Sequence, residues 1–197
     1  MKIIGITGGI GSGKSAVSKL IEEMGYPVFY ADSESKKILA SHPFAISEII
    51  KVLGNNSYFP NGEPNKTFIA DKIFNNDELL NSINKILHPL VKTAFDEFVK
   101  AHTASELVFH EAALIYQAGF DKFMDSIIFV SCSESIRVQR VLQRDNLTEV
   151  EIRKRIKAQG DWLEFEKKST FVIKNEGTIS ELESEVKNVI NRIKQHV

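Results

Sequence analysis

The chain alternates between two kinds of apolar pattern. Short unbroken apolar runs occur at 3–6, 27–31, 107–110, 127–132 and 171–173. Runs of that length, bounded by turn signals, read as strands buried on both faces. Between them the apolar residues fall at helical spacing. Residues 16–24 suit a helix that Gly25-Tyr26 stops, and Asp32-Ser33-Glu34-Ser35 opens another carrying Lys36, Lys37, Ile38 and Leu39. From 42 to 102 there is no clear strand, only helical patterns broken by Asn55-Asn56-Ser57 and by 60–65. A basic helical stretch fills 137–168. In 178–194, Ile179, Leu182, Val186, Val189, Ile190 and Ile193 mark an amphipathic helix. Strands alternating with helices predict an α/β fold, a doubly wound parallel five-stranded sheet, with 42–102 inserted as helices on one edge.

The first strand runs into Gly8-Gly9-Ile10-Gly11-Ser12-Gly13-Lys14-Ser15 and then a helix, and Gly8-x4-Gly13-Lys14-Ser15 fits the phosphate-binding loop. Glycines let backbone N–H groups turn inward without Cβ clashes and form an anion-binding nest. The following helix points its N-terminus at the same anion. Lys14 can reach β- and γ-phosphates, and Ser15 can ligate Mg²⁺. Gly11-x-Gly13-x-x-Ala16, with Asp32 roughly 20 residues later, also fits a dinucleotide fingerprint. That reading leaves Lys14 and Ser15 without a purpose and puts Gly8, Gly9 and Ile10 where its first glycine should be. The phosphate loop is preferred.

Ligands of such sheets bind at the carboxyl ends of the strands, so Gly8, Asp32 and Glu111 are expected to meet at one crevice. Asp32 fits two roles, a base accepting a proton from an attacking hydroxyl or a helix N-cap. Glu111 fits either an Mg²⁺ carboxylate or a solvated acid. Arg137, Arg140 and Arg144 share one helical face. They suit either phosphoryl-group charge or a solvated face paired with Glu134 and Asp145.

Composition narrows the partners. With 197 residues, 43% hydrophobic and 26% charged, the chain can bury one substantial core. A formal net charge of −1 gives no global basic field, so no nucleic-acid partner is expected. No stretch approaches the roughly 18 apolar residues of a membrane span, and Lys2 before a glycine loop is unlike a signal peptide, so no membrane role is expected. Cys132 is expected to be a small buried residue, and a lone cysteine fits a reducing cytoplasm. His42, His88, His102, His110 and His196 lack metal-ligand spacing. A guanine-reading switch would need Asn-Lys-x-Asp, and Asn84-Lys85-Ile86-Leu87 lacks the Asp.

Taken together the motifs resemble the dephospho-coenzyme A kinases over nearly the whole chain. The string from Thr7 to Ser15 is similar to that family's form of the loop, Ala31-Asp32 to its Asp-Ala-Asp segment, and Leu87-His88-Pro89-Leu90-Val91 to its Leu-His-Pro motif. Gln139-Arg140, Arg144-Asp145 and Arg155-Ile156-x-Ala158-Gln159 resemble its lid, and Val172-Ile173-Lys174-Asn175 its strand near the nucleotide base. Ala16, Ala113, Gln117, Lys66 and Thr170 stand where the family usually has Thr, Pro, Glu, Arg and Asp. The resemblance implies a phosphate-loop nucleoside-triphosphate-hydrolase-like core at 1–31, 104–132 and 170–197. It further implies a helical substrate lobe at 32–103 and a lid at 133–169. The implied reaction is transfer of the ATP γ-phosphate to the ribose 3′-hydroxyl of dephospho-CoA, with Mg²⁺ and no obligate protein partner. Asp32 would be the base, with Lys14 and Arg140 as catalytic cations. Gly9, Gly11, Ser12, Gly13, Lys14, Ser15, Ala16, Arg144 and Asn175 would hold ATP, and Ser15 and Glu111 the metal. Lys36, Lys66 and a turn at His88-Pro89 would face the acceptor, whose long arm suits Phe44 and Phe68. Another phosphate-loop small-molecule or nucleotide kinase is the alternative.

Overall fold

Ile4 and Ile6 are fully buried on one side of the first strand, and residues at the same period-two positions of its neighbours are buried with them. The computed structural model describes residues 1–74 and 76–195, so His196 lies outside the described residues. Its sheet contains β1 (Lys2–Thr7), β2 (Val28–Tyr30), β3 (Leu107–Glu111), β4 (Ser126–Ser131) and β5 (Phe171–Lys174). All pairings are parallel, in the order β2-β3-β1-β4-β5. Ile4, Ile6, Leu107, Phe109, Ile128, Val130, Phe171 and Ile173 form one face. That face packs on Val17 and Ile21 of α1 (Lys14–Glu23) and on Leu182, Val186, Val189, Ile190 and Ile193 of α9 (Ile179–Gln195).

Val108, His110, Ile127 and Phe129 are buried on the opposite face. Ile115 reaches within 3.0 Å of where a Cβ on Gly5 would be, so the segment after β3 lies on the sheet there. His110 stacks between Phe29 and Phe120, with ring centroids 5.5 and 5.3 Å away. Phe129 meets Trp162, the first residue of α8 (Trp162–Lys168), at 5.7 Å. Helices on both faces explain why the strands read as continuous apolar runs.

The basic stretch forms α6 (Glu134–Arg144), α7 (Glu149–Ala158) and α8. α7 starts with a capping box between Thr148 and Glu151. Val138, Val141, Ile152 and Ile156 make a small cluster of their own between α6 and α7.

The chain divides into two compact units, Met1–Tyr30 with His102–Val197, and Ala31–Ala101. The second contains α2 (Ala31–Ser41), α3 (Pro43–Leu53), α4 (Lys66–Phe74) and α5 (Asp77–Ala101). Ile83, Leu87, Val91 and Phe95, four residues apart, give α5 its buried stripe. The expected turn at His88-Pro89 does not form, and Pro89 lies inside α5. The ring removes one intrahelical donor, but the apolar stripe continues through it and holds the helix in register. α3 is capped by the His42 ring, which accepts from Ala45 N. An isolated Tyr58–Pro64 bridge closes the turn between α3 and α4.

Candidate active site

The loop after β1 is shaped by what presses on it. Gly8, Gly11 and Gly13 have φ of 152°, 77° and 94°, a region that L side chains avoid. A Cβ on Gly13 would stand 2.0 Å from Asn175 Nδ2, and one on Gly11 2.6 Å from Arg137 O. Ser12 N donates to Gly9 O at 3.0 Å and turns the chain. Gly13 then serves as N-cap of α1 without any side-chain cap, and Ala16 N donates back to Gly13 O at 3.0 Å; a helix N-terminus that no side chain caps suits an anion. Ser15 is exposed in that first turn. Lys14 Nζ donates to Gly8 O at 2.9 Å, which folds the ammonium back across the loop.

The back of the loop is sealed by polar side chains. Buried Asn175, just after β5, donates from Nδ2 to Ser12 O at 2.8 Å. Arg140 makes 3.5 Å contacts with Ser12 O, Asn175 Oδ1 and Cys132 Sγ, which leaves its charge beside Gly13. Arg137 is 6% exposed and donates from Nε to Ile10 O at 2.9 Å. Its guanidinium lies over the Trp162 ring at 5.5 Å, and burial lowers its pKa. A cavity of about 440 Å³ opens beside Gly9, Arg137 and Trp162.

Glu111 is buried at the end of β3, in register with both Ile6 and Tyr30. Glu111 thus lies level with β1 two residues before Gly8. Burial, with Glu22 and Glu111 nearby, raises the pKa of the Tyr30 hydroxyl, which donates to Glu22 Oε2 at 2.8 Å.

The predicted residues separate into groups. Gly9, Gly11, Ser12, Gly13, Lys14, Ser15, Arg140 and Asn175 are brought together at the loop. Arg144 is 64% exposed and forks onto Asp145 at 2.9 and 2.8 Å, each group favouring the other's charged form. Glu134 pairs with Arg153, not with Arg137. Cys132 is half-buried rather than a core residue, because β4 ends one residue before it. In the second unit, α2 begins at Ala31, which puts the exposed Asp32 inside the first turn instead of at the cap. Lys36 and Lys66 are exposed there, and His88 is half-buried, with its pKa lowered by burial. Phe44 is 56% exposed, and Phe68 is half-buried under Lys72.

Sequence reasoning gave no separate role to Arg137 or Gln159. Arg137 lies one residue before Val138 and four before Val141, on the inward side of α6, and that spacing is the signal for its burial. Gln159 Oε1 accepts from Ile10 N at 2.9 Å.

The sequence model of the family described as "Dephospho-CoA kinase" matches residues 2–181. The chain belongs to the dephospho-CoA kinase family. Its relatives are kinases that transfer phosphate to an alcohol group. A Bacteroides fragilis protein named dephospho-CoA kinase is 38% identical over 174 residues, 88% of this chain and 84% of that protein. A Thermus thermophilus crystal structure titled TT1252 superposes with a TM-score of 0.86 at 29% identity, covering 97% of both chains. The dephospho-CoA kinase from Campylobacter jejuni shares the fold, with a TM-score of 0.72 at 22% identity and 98% of both chains covered.

Two departures from the family's motifs have local partners here. Thr170 Oγ1 accepts from Ile127 N at 3.2 Å, at the start of β4. Gln117 Nε2 donates to Gln159 O at 2.6 Å, a bond that an ionised Glu could not donate.

Proposed function

We propose that the chain transfers the γ-phosphoryl group of ATP to the ribose 3′-hydroxyl of dephospho-CoA, completing coenzyme A. The observation that supports this most directly is a phosphate loop with an uncapped helix N-terminus in a chain of this family. The bond that forms joins the 3′-oxygen to Pγ, and the bond that breaks joins Pγ to the β–γ bridging oxygen. Asp32 is the proposed acceptor of the hydroxyl proton, as an exposed carboxylate two residues beyond β2. Lys14 and Arg140 offset charge on the phosphoryl oxygens. Lys14 would exchange its bond to Gly8 O for the nucleotide.

Among the described residues no group of three or more His, Cys, Asp or Glu is arranged for a metal. One hydroxyl and one carboxylate are donors that suit Mg²⁺, which keeps waters and phosphate oxygens and takes few protein ligands. The Ser15 hydroxyl and the Glu111 carboxylate would hold it. When bound, it would neutralise charge on the nucleotide phosphates. We assign residues 133–169 as the lid and the Ala31–Ala101 unit, with Lys36, Lys66 and His88, as the acceptor lobe. Arg144 would leave Asp145 for the nucleotide on closure, with Ala16 beside the phosphates.

The test mixes the protein, Mg-ATP and one acceptor at a time, then fixes the mass and phosphate position of the product. Dephospho-CoA should be phosphorylated at the 3′-hydroxyl, with AMP, adenosine and pantetheine phosphate far poorer. Preference for AMP or another nucleoside monophosphate would replace this reading with that of a different phosphate-loop kinase.

A further inference from the structure

Gly8 to Ser15 contains a single apolar side chain, Ile10, and the proposed chemistry gives it nothing to do. The fold uses it heavily. Its N–H donates to Gln159 Oε1 at 2.9 Å, and its carbonyl accepts from Arg137 Nε at 2.9 Å. Its side chain packs against the Val138, Val141, Ile152 and Ile156 cluster. One residue on, the α6 backbone comes so close that a Cβ on Gly11 would meet Arg137 O at 2.6 Å. Gln159 is itself held from behind by Gln117. The crest of the loop is therefore anchored by both of its backbone groups and its side chain, all to α6, α7 and the residue that ends α7.

We propose that Ile10 is a positioning residue that makes ordering of the phosphate loop and seating of α6 and α7 a single equilibrium. A loop with four glycines among its eight residues loses much backbone freedom when it is held for phosphate, so external anchors pre-organise it. Linkage then runs both ways. A nucleotide that orders the loop must tighten α6 and α7, and loosening those helices must weaken nucleotide binding by the same factor. This inference rests on the adenine-nucleotide reading above.

The experiment measures hydrogen exchange across α7, with α9 as internal reference, with and without the non-hydrolysable analogue AMP-PNP. Analogue affinity is measured alongside by calorimetry, for the wild type, Ile10→Val, Ile10→Ala and Gln159→Leu. In the wild type the analogue should slow exchange in 149–158. Ile10→Ala should lose most of that response and bind roughly five- to thirtyfold more weakly, with Ile10→Val close to wild type. KM for ATP should rise while KM for the acceptor stays put. Gln159→Leu removes one anchor outside the apolar cluster and should show the same pattern at roughly two- to tenfold, even if Ile10→Ala fails to fold. A purely structural role would lower the melting temperature but leave affinity and the α7 response intact, and that result would overturn the proposal. A wild type that binds no adenine nucleotide would instead bring down the functional reading on which it rests.

Discussion

Beneath α1 and α9 the sheet buries Ile4, Ile6, Phe109, Val130, Val189 and Ile190 with their neighbours, whereas α6 and α7 share four buried side chains and the edge of Ile10. The first cluster is supplied by all five strands together with one face each of α1 and α9. The second is supplied by two helices without a strand, whose other sides carry charge, including Arg144, Arg153 and Arg155. A region with few buried apolar contacts opens at lower free energy than the body it rests on. The phosphate loop stands between the two, with α1 rooted in the large cluster and Ile10 in the small one. The contrast accounts for how one loop can be rigid where it must cradle phosphate and still be adjustable from the α6–α7 side.

The largest effect should come on the rigid side. Lys14 is half-buried and folds over the loop to Gly8 O, while Val17 and Ile21 form the fully buried side of the same helix, so Lys14→Ala should spare the fold. We expect kcat to fall by roughly two to three orders of magnitude, with an unchanged melting curve. Near-normal turnover would remove Lys14 from the site.

Next come the clusters themselves. Ile190→Ala in the large cluster should cost about 2–5 kcal/mol of global stability, read from chemical denaturation. Val141→Ala in the small one removes two methyl groups, about 1.5 kcal/mol of transfer free energy. Its effect should be concentrated in faster exchange of 134–158, with little change at α9. Equal loss of protection in both regions would mean that the two clusters open as one.

A pH series sharpens the contrast from the buried face of the sheet. Burial between Phe29 and Phe120 lowers the His110 pKa from 6.5 to about 4, against a weaker backbone hydrogen bond that raises it. The neutral ring is thus favoured in the folded state. Its contribution is complete above about pH 6.5, falls progressively below that, and is gone once pH has passed through 4. The expected loss is about 3 kcal/mol. The difference between wild type and His110→Phe should follow that window, and a difference that is flat with pH would show that the ring titrates normally.

The strands, the loop and the long C-terminal helix were legible because each is written in local pattern: an unbroken apolar run, glycines at fixed offsets, an apolar stripe. Pro89 misled, because a proline is a local signal and the Ile83, Leu87, Val91, Phe95 stripe that overrode it is a tertiary one. Arg137 and Gln159 were hidden for a related reason. Their partners are the carbonyl and N–H of Ile10, 127 and 149 residues away, and backbone groups leave no mark in a sequence. Arg144 meets Asp145 as its helical face suggests, whereas Glu134 pairs with Arg153 rather than with that face, because exposed charges choose among several neighbours at little cost.

The smallest effect should come from the polar link between α6 and α7. Arg153 holds Glu149 one turn back on its own helix at 2.8 Å and also reaches Glu134 on α6. All three side chains are about half exposed, so water competes for each, and ordering the long arginine offsets the attraction. Salt screens what remains. Arg153→Ala should therefore leave the melting temperature where it is. Its trace should be local: exchange of α7 that speeds up with added salt in the wild type should become salt-independent in the variant. If Arg153→Ala instead destabilised α7 as much as Val141→Ala does, the charged surface and not the four buried side chains would be what joins these helices, and the contrast between the two clusters would have to be redrawn.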